Sequence, residues 1–154
     1  MTIKKLMLTL LLLAGFSFGL SAQAISDDEQ IKEAIVSLFK GMQDRDVALL
    51  EGAFAKEGYL QTIKQGLDSV RVETSSPKEF VNGIAAVPAE MNLEERILSM
   101  EIKQDGPMAS VWVPYEFYVN GELSHCGVNS FQMVKKPEGW RVVYIIDTRR
   151  KKGC

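Results

Sequence analysis

The stretch that decides the fold is residues 109–149, with the sequence ASVWVPYEFYVNGELSHCGVNSFQMVKKPEGWRVVYIIDTR. Turn residues interrupt its apolar and aromatic runs at two points, and this pattern predicts three consecutive antiparallel strands. The first turn, Asn120-Gly121, is a strong hairpin signal because a type I′ turn needs positive φ at both central residues. A two-residue loop there places Val119 opposite Glu122, and the same register places Glu116 opposite His125. It also pairs Tyr118 with Leu123, Val113 with Val128 and Trp112 with Asn129.

Side chains alternate along a strand, so these pairs separate onto two faces of the sheet. One predicted face is mostly apolar and carries Val111, Val113, Tyr115, Phe117, Cys126 and Val128. The other combines aromatic and polar residues and carries Trp112, Glu116, Tyr118, His125, Asn129 and Phe131. A regular turn at Lys136–Gly139 adds Val142, Tyr144 and Ile146 to this mixed face, whereas a bulge would swap the faces of the third strand. The mixed face is the predicted wall of a pocket.

The first 24 residues are typical of a signal peptide. Lys4 and Lys5 precede an apolar run at 6–20, and Ala22-Gln23-Ala24 resembles a cleavage site. The alternative is a membrane anchor, but the run is short for a span of about 20 residues. Cleavage leaves residues 25–154 as one domain and removes two lysines, which takes the formal net charge from −2 to −4. We therefore expect a periplasmic or secreted protein that contacts neither nucleic acid nor, after cleavage, a membrane.

Two cysteines remain after the signal peptide, Cys126 and Cys154. In an oxidising compartment they can form a disulfide that ties the C-terminal tail to the sheet; the alternative is two free thiols. The bridge would close a loop of 29 residues, which the chain-entropy model values at about 3–4 kcal/mol.

Helices precede the strands. Ser26–Glu29 is a capping box, and it opens a helix whose apolar face carries Ile31, Ile35, Leu38, Phe39 and Met42. A shorter helix follows from Val47 to near Glu57-Gly58. Two predicted strands follow, Tyr59–Ile63 and Asp68–Thr74. A second capping box, Ser76–Glu79, opens a third helix that ends near Ala85, and a strand over Arg96–Ile102 completes the order. Helices segregated from four final antiparallel strands predict an α+β fold, a curved sheet with a long helix across it.

Several late motifs carry a family resemblance: Val119–Glu122, His125–Gly127, Phe131–Val134, Gly139–Val142 and Ile146–Arg150. With the element order, they resemble the nuclear transport factor 2-like (SnoaL-like) superfamily, and more narrowly its small exported bacterial members that carry the lumazine-binding label. The resemblance implies a cone-shaped cystatin-like roll and a homodimer formed through the outer face of the sheet. This fold supports isomerases, dehydratases, cyclases and non-catalytic modules, so function must be argued from the site.

Glu116 and His125 form the sharpest predicted constellation, because a carboxylate beside an imidazole prepares a general acid–base pair. The alternative is a cross-strand ion pair on a solvated face. The candidate ligand-binding residues are Trp112, Glu116, Tyr118, His125, Asn129, Phe131, Tyr144 and Phe39. A chain with one histidine is not expected to hold zinc, and no cofactor is expected. Arg149 or Arg150 could contact an anion, or form a solvated tail.

From these patterns we expect a non-catalytic module that binds a small, partly aromatic or polar ligand in the cone. One alternative is a lyase or isomerase that uses Glu116 and His125. The other is a dimeric interaction module whose cone is filled by its own side chains.

Overall fold

The computed structural model describes residues 25–66 and 68–154, and the expected signal peptide at residues 1–24 lies outside them. Within the described part of the chain, no helix is long and apolar enough to cross a membrane. The helices and strands follow in this order: α1 (Asp27–Asp44), α2 (Val47–Ala53), β1 (Phe54–Gln65), β2 (Val70–Ser75), α3 (Pro77–Ala85), β3 (Leu93–Ile97), β4 (Glu101–Asp105), β5 (Met108–Val119), β6 (Glu122–Lys136) and β7 (Gly139–Thr148).

Helix α1 begins and packs as its sequence predicts. The Ser26 hydroxyl accepts the Glu29 backbone N–H at 3.3 Å, and Arg45 ends the helix in the left-handed conformation with φ 56°. The apolar stripe faces the sheet, with these residues buried: Ile31, Ile35, Leu38 and Phe39. Burial of each such side chain contributes on the order of 1.5–3 kcal/mol, so packing against the sheet accounts for most of the stability of this helix.

The other two helices are short. The capping box of α3 forms as predicted, with the Ser76 N–H donating to Glu79 Oε2 at 2.7 Å and the Glu79 N–H donating to Ser76 Oγ at 3.2 Å. Helix α2 ends at Ala53 rather than near Glu57-Gly58, because Phe54 already pairs with Val142 at the start of β1. Strand pairing distant in sequence thus overrides the local helical pattern.

The described strands form one curled, mixed sheet in the order β2-β1-β7-β6-β5-β3, with β4 also paired to β5. Every pair is antiparallel except β1 with β7, which is parallel. The predicted strand over Arg96–Ile102 is divided into β3 and β4, and the gap lies beside Pro114 of β5. Proline has no N–H to donate to a neighbouring strand, which explains the interruption there.

The β5–β6 hairpin forms at the predicted turn, but its register changes after two pairs. Asn120 and Gly121 have φ of 54° and 81°, and Val119 pairs with Glu122 as predicted. Ser124 is then an extra residue in β6, so Phe117 rather than Glu116 pairs with His125. The predicted Glu116–His125, Trp112–Asn129 and Val113–Val128 pairs are therefore wrong; the partners of the three β5 residues are instead Cys126, Ser130 and Asn129, respectively.

A second bulge lies in β7. The turn after Lys136 is regular, since Lys135 pairs with Trp140 and Met133 with Val142. Val143 is then an extra residue, and Tyr144 pairs with Gln132. Val142 therefore lies on the same face as Phe131, whereas Tyr144 and Ile146 lie on the opposite face. Beyond Val142, the two faces of β7 are therefore swapped relative to those predicted for a regular turn without a bulge.

The inner face of the sheet packs against α1. Because of the two bulges, it carries residues from both of the predicted faces. The buried residues there include Val111, Val113, Tyr115, Asn129, Phe131, Met133 and Val142. Phe39 of α1 meets Phe131 edge-on, with ring centroids 6.1 Å apart. The outer face carries Trp112, which is 53% exposed.

The predicted disulfide between Cys126 and Cys154 is present, with Cα atoms 5.6 Å apart. Backbone hydrogen bonds reinforce it: the Cys126 N–H donates to the Arg150 carbonyl at 2.9 Å, and the Arg150 N–H donates to the Cys126 carbonyl at 2.7 Å. The C-terminal tail is thereby held beside β6.

Candidate functional site

A small cavity of about 110 Å³ lies between the inner face of the sheet and helices α1 and α3. Its apolar wall is formed by Leu38, Phe39, Met42, Leu60, Phe80, Phe131 and Ile145. Its polar end is formed by Thr62, Ser75, Asn129, Asp147 and Arg149. A larger cleft of about 370 Å³ lies against α2 and α3, but its charged residues are all exposed: Glu51, Lys56 and Lys78. The cavity inside the cone is therefore the candidate site.

Asp147 anchors the polar end of the cavity. This residue is only 8% exposed, and both carboxylate oxygens are hydrogen-bonded. The Thr62 hydroxyl donates to Oδ1 at 2.6 Å, and Arg149 Nε donates to Oδ2 at 2.8 Å. The parallel pairing of β1 with β7 places Thr62 directly beside Asp147. The carboxylate and the guanidinium form a partly buried ion pair whose geometry the two strands fix.

Glu95 is a second inward-facing carboxyl, and the sequence analysis missed it. It pairs with Phe117 on the inner face, and Asn129 Nδ2 donates to its Oε1 at 2.6 Å. Desolvation and the nearby charge of Asp147 raise the pKa of Glu95 to about 7, against the opposing effects of Asn129 and Arg149. The carboxyl therefore gains and loses its proton near neutral pH.

The sequence did contain a signal for Glu95. In Leu93–Ile97 this glutamate alternates with two apolar residues, Leu93 and Ile97, and so shares their face of the strand. A carboxylate at an apolar position of a half-buried strand is costly unless it has a partner or a proton. Glu95 can therefore be recognised in the sequence as a charged residue at an apolar position of the strand.

His125 lies on the inner face but does not line the cavity. Its ring stacks on Phe117 with centroids 4.9 Å apart and meets Tyr115 edge-on at 5.8 Å. Burial, together with the positive charge of Arg149, lowers the pKa of His125. The imidazole is thus held neutral at pH 7.

Glu116 lies on the outer face and cannot pair with His125. It accepts a hydrogen bond from the Tyr118 hydroxyl at 2.8 Å, and the Arg96 guanidinium lies 3.9 Å from the centroid of the Tyr118 ring. The predicted acid–base pair is therefore wrong. The physical reason is the bulge at Ser124, which moves His125 to the opposite face from Glu116.

The remaining predicted ligand residues divide between the two faces. Phe39, Asn129 and Phe131 line the cavity. Trp112, Tyr118 and Tyr144 lie on the outer face, where the Tyr144 hydroxyl donates to Gln61 Oε1 at 2.7 Å. Across residues 25–66 and 68–154, no group of three or more His, Cys, Asp or Glu side chains is placed to hold a metal ion.

The fold is that of the nuclear transport factor 2-like superfamily. A protein of this class from Cytophaga hutchinsonii is 14% identical with a TM-score of 0.68, and the match covers 81% of this chain and 99% of that one. A candidate dehydratase of the class from Streptomyces avermitilis is 17% identical with a TM-score of 0.63, covering 80% and 95%. A candidate aromatic ring hydroxylase from Novosphingobium aromaticivorans is 12% identical with a TM-score of 0.62, covering 80% and 88%. No protein-family model matches the chain, and no curated protein matches it significantly.

The raised pKa of Glu95 leads to a prediction about stability and pH. The unfolded chain loses this proton near the ordinary value of 4.5, whereas the folded protein keeps it to about 7. The free energy of unfolding therefore falls between these pH values and stays lowered above them. At 1.36 kcal/mol per pH unit the penalty reaches up to about 3 kcal/mol.

Glu95→Gln removes that penalty. We expect the stability of the variant relative to the unmodified protein to increase by about 2–3 kcal/mol between pH 4 and pH 8, measured by urea denaturation at both pH values. Glu90→Gln, in an exposed loop, is the control and should show no such trend. Equal pH trends for the two variants would contradict the assignment.

Proposed function

We propose that this protein binds a small, single-ring ligand inside the cone without chemically converting it. The observation that carries the proposal is the composition of the cavity, which has an apolar wall and one polar end held by the Asp147–Arg149 ion pair. Pockets of this type combine apolar contact area with a few polar groups that orient the ligand.

The size of the cavity restricts the ligand. A volume of about 110 Å³ is smaller than the roughly 300–1,000 Å³ of pockets for drug-sized molecules. It is closer to the roughly 150 Å³ that accommodates one benzene ring. A fused-ring ligand would need the wall formed by Leu60, Phe80 and Phe131 to move apart, so one ring is the expected size.

The arrangement of the polar groups favours binding over turnover. Both oxygens of Asp147 are already engaged by Thr62 and Arg149, so this carboxylate is not free to remove a proton from a ligand. His125 stacks against Phe117 away from the cavity lining. The groups that touch the cavity can therefore orient a ligand more readily than they can transform it.

The test uses benzyl alcohol as a neutral single-ring probe, titrated by ligand-observed NMR. Leu60→Phe adds volume within the cavity wall and should weaken binding at least tenfold. Gln61→Phe introduces the same side chain one residue away on the outer face, and binding should be unchanged. Binding that is equally strong in both variants, or absent in the unmodified protein, would overturn the proposal.

Glu95 supports a second candidate, a lyase or isomerase that transfers a proton. Its pKa of about 7 suits a general acid or base at neutral pH, and its Oε1 accepts a hydrogen bond from Asn129, which lines the cavity. One structural neighbour is a candidate dehydratase, which is consistent with this chemistry. If the protein catalyses a reaction, and Glu95→Gln loses that activity while it still binds benzyl alcohol, the lyase or isomerase hypothesis would be favoured.

Export and homodimerisation stay predictions of the sequence analysis. The disulfide is compatible with an oxidising compartment. The exposed Trp112 and Tyr59 give the outer face the aromatic character common at the centre of protein interfaces.

A further inference from the structure

Arg149 uses only part of its hydrogen-bonding capacity within the described chain. A guanidinium has five N–H donors. Nε binds Asp147 Oδ2 at 2.8 Å, and one Nη2 hydrogen points to Thr62 Oγ1 at 3.4 Å. Among the described residues, no protein acceptor takes the hydrogens of Nη1 or the second hydrogen of Nη2. The free edge of Arg149 is the side of the guanidinium that carries these unbonded Nη1 and Nη2 hydrogens. The side chain is 47% exposed and lines the cavity, so the free edge is accessible to a ligand.

The free edge has the geometry that recognises a carboxylate. The Nη1 and Nη2 hydrogens of a guanidinium point in parallel, and two carboxylate oxygens can accept them together. Asp147 occupies the other edge and prevents the side chain from rotating freely. Arg149 is thereby oriented before any ligand arrives, which reduces the entropic cost of binding.

Basic side chains near Arg149 also favour an anion. The charges of Asp147 and Arg149 cancel as an ion pair. Lys64 and Lys151 lie close enough to act electrostatically on His125, and Arg150 acts on Tyr115. Lys64 is near because parallel pairing brings the ends of β1 and β7 together. Against these cations stand Glu95, whose carboxyl is desolvated, and Glu73, which lies 3.6 Å from Lys64.

We propose that the ligand is a small carboxylic acid bound as its anion, with one ring or branched alkyl group against Phe39, Phe80 and Phe131. Its carboxylate binds the free edge of Arg149 in a bidentate manner. This inference rests on the proposed binding function, and it adds the chemical class of the ligand. Asn129 and Thr62, which line the same end of the cavity, are placed near the carboxylate.

Benzoate and benzamide have the same shape and differ in charge. Comparing their affinities therefore tests the carboxylate proposal separately from the cavity proposal. By isothermal titration calorimetry at pH 7, benzoate should bind at least tenfold more tightly than benzamide. Arg149→Gln should reduce benzoate affinity to that of benzamide while leaving benzamide affinity unchanged. The benzamide measurement also reports whether the variant keeps an intact cavity.

Two further variants sharpen the experiment. Arg149→Lys keeps the charge but lacks the planar fork, so benzoate affinity should fall between those of the unmodified protein and Arg149→Gln. Lys152→Gln is the control, because this exposed lysine lies in the same C-terminal tail and does not line the cavity, and its effect should be less than threefold. If benzoate and benzamide bind equally, or if Arg149→Gln keeps the preference, the carboxylate proposal fails while the cavity proposal stands. If neither these probes nor benzyl alcohol bind, both proposals fail.

Discussion

Replacing Gly127 by Ala is expected to destabilise the protein by about 3–5 kcal/mol and to disturb the position of Arg149. A Cβ at this position would lie 1.8 Å from the Thr148 carbonyl oxygen and 2.8 Å from its carbon. Because both atoms belong to the backbone, the end of β7 must move. Overpacking of this kind costs about 1–3 kcal/mol.

The displaced segment also carries hydrogen bonds. The Tyr115 hydroxyl donates to the Thr148 carbonyl at 2.9 Å, and the Val128 N–H donates to Thr148 Oγ1 at 3.2 Å. Losing each costs about 1 kcal/mol, which brings the total into the expected range. Because Thr148 immediately precedes Arg149, the same shift should weaken benzoate binding more than benzamide binding.

Gly83→Ala is the matched control for this substitution. Gly83 lies within α3, and apart from its chain neighbours and the backbone of its own helix, no atom lies within 4 Å of a Cβ built there. Replacing a helical glycine by alanine stabilises a helix by up to about 1 kcal/mol. Urea denaturation of both variants compares the same chemical change with and without the backbone clash. Similar stabilities would show that Gly127 does not control the path of β7.

The sequence predicted the turns and helix caps better than it predicted which side chains lie on each face of the sheet. Hairpins and capping boxes depend on a few adjacent residues, so Asn120-Gly121 and Ser76–Glu79 were identified correctly. Ser124 and Val143 form bulges without a local composition that distinguishes them from ordinary strand residues. A single extra residue reverses every side chain beyond it, which is why Glu116 and His125 were assigned to one face.

The remaining parts of the site depend on contacts between distant segments. Thr62 meets Asp147 only because β1 pairs in parallel with β7, and no feature within either strand specifies that pairing. Glu95 reaches Asn129 across the sheet, although its alternation with Leu93 and Ile97 marked it as inward-facing. Phe39 and Phe131 line the cavity. Helical spacing indicates the burial of Phe39 directly, whereas strand alternation grouped Phe131 with Trp112, which lies on the outer face.

Removing the disulfide by Cys154→Ser should lower the free energy of unfolding by about 3–4 kcal/mol. The bridge closes a loop of 29 residues. In the chain-entropy model, the conformational freedom that the unfolded state regains without the bridge is worth about 3–4 kcal/mol. Cys154 is exposed, so the substitution itself creates no cavity. Lys152→Ser, in the same exposed tail, is the control and should change stability by less than about 0.5 kcal/mol.

Reduction distinguishes the bridge from other effects of the mutation. A reducing agent should bring the unmodified protein to the stability of Cys154→Ser and should leave that variant unchanged. Among the described residues, the backbone of the tail after Arg149 would then be held to the sheet by the two hydrogen bonds between Cys126 and Arg150. Arg149 should consequently be less well fixed, so benzoate affinity should fall while benzamide affinity stays constant. A reduced protein that keeps its full stability and its preference for benzoate would mean that the disulfide neither stabilises the fold nor positions Arg149.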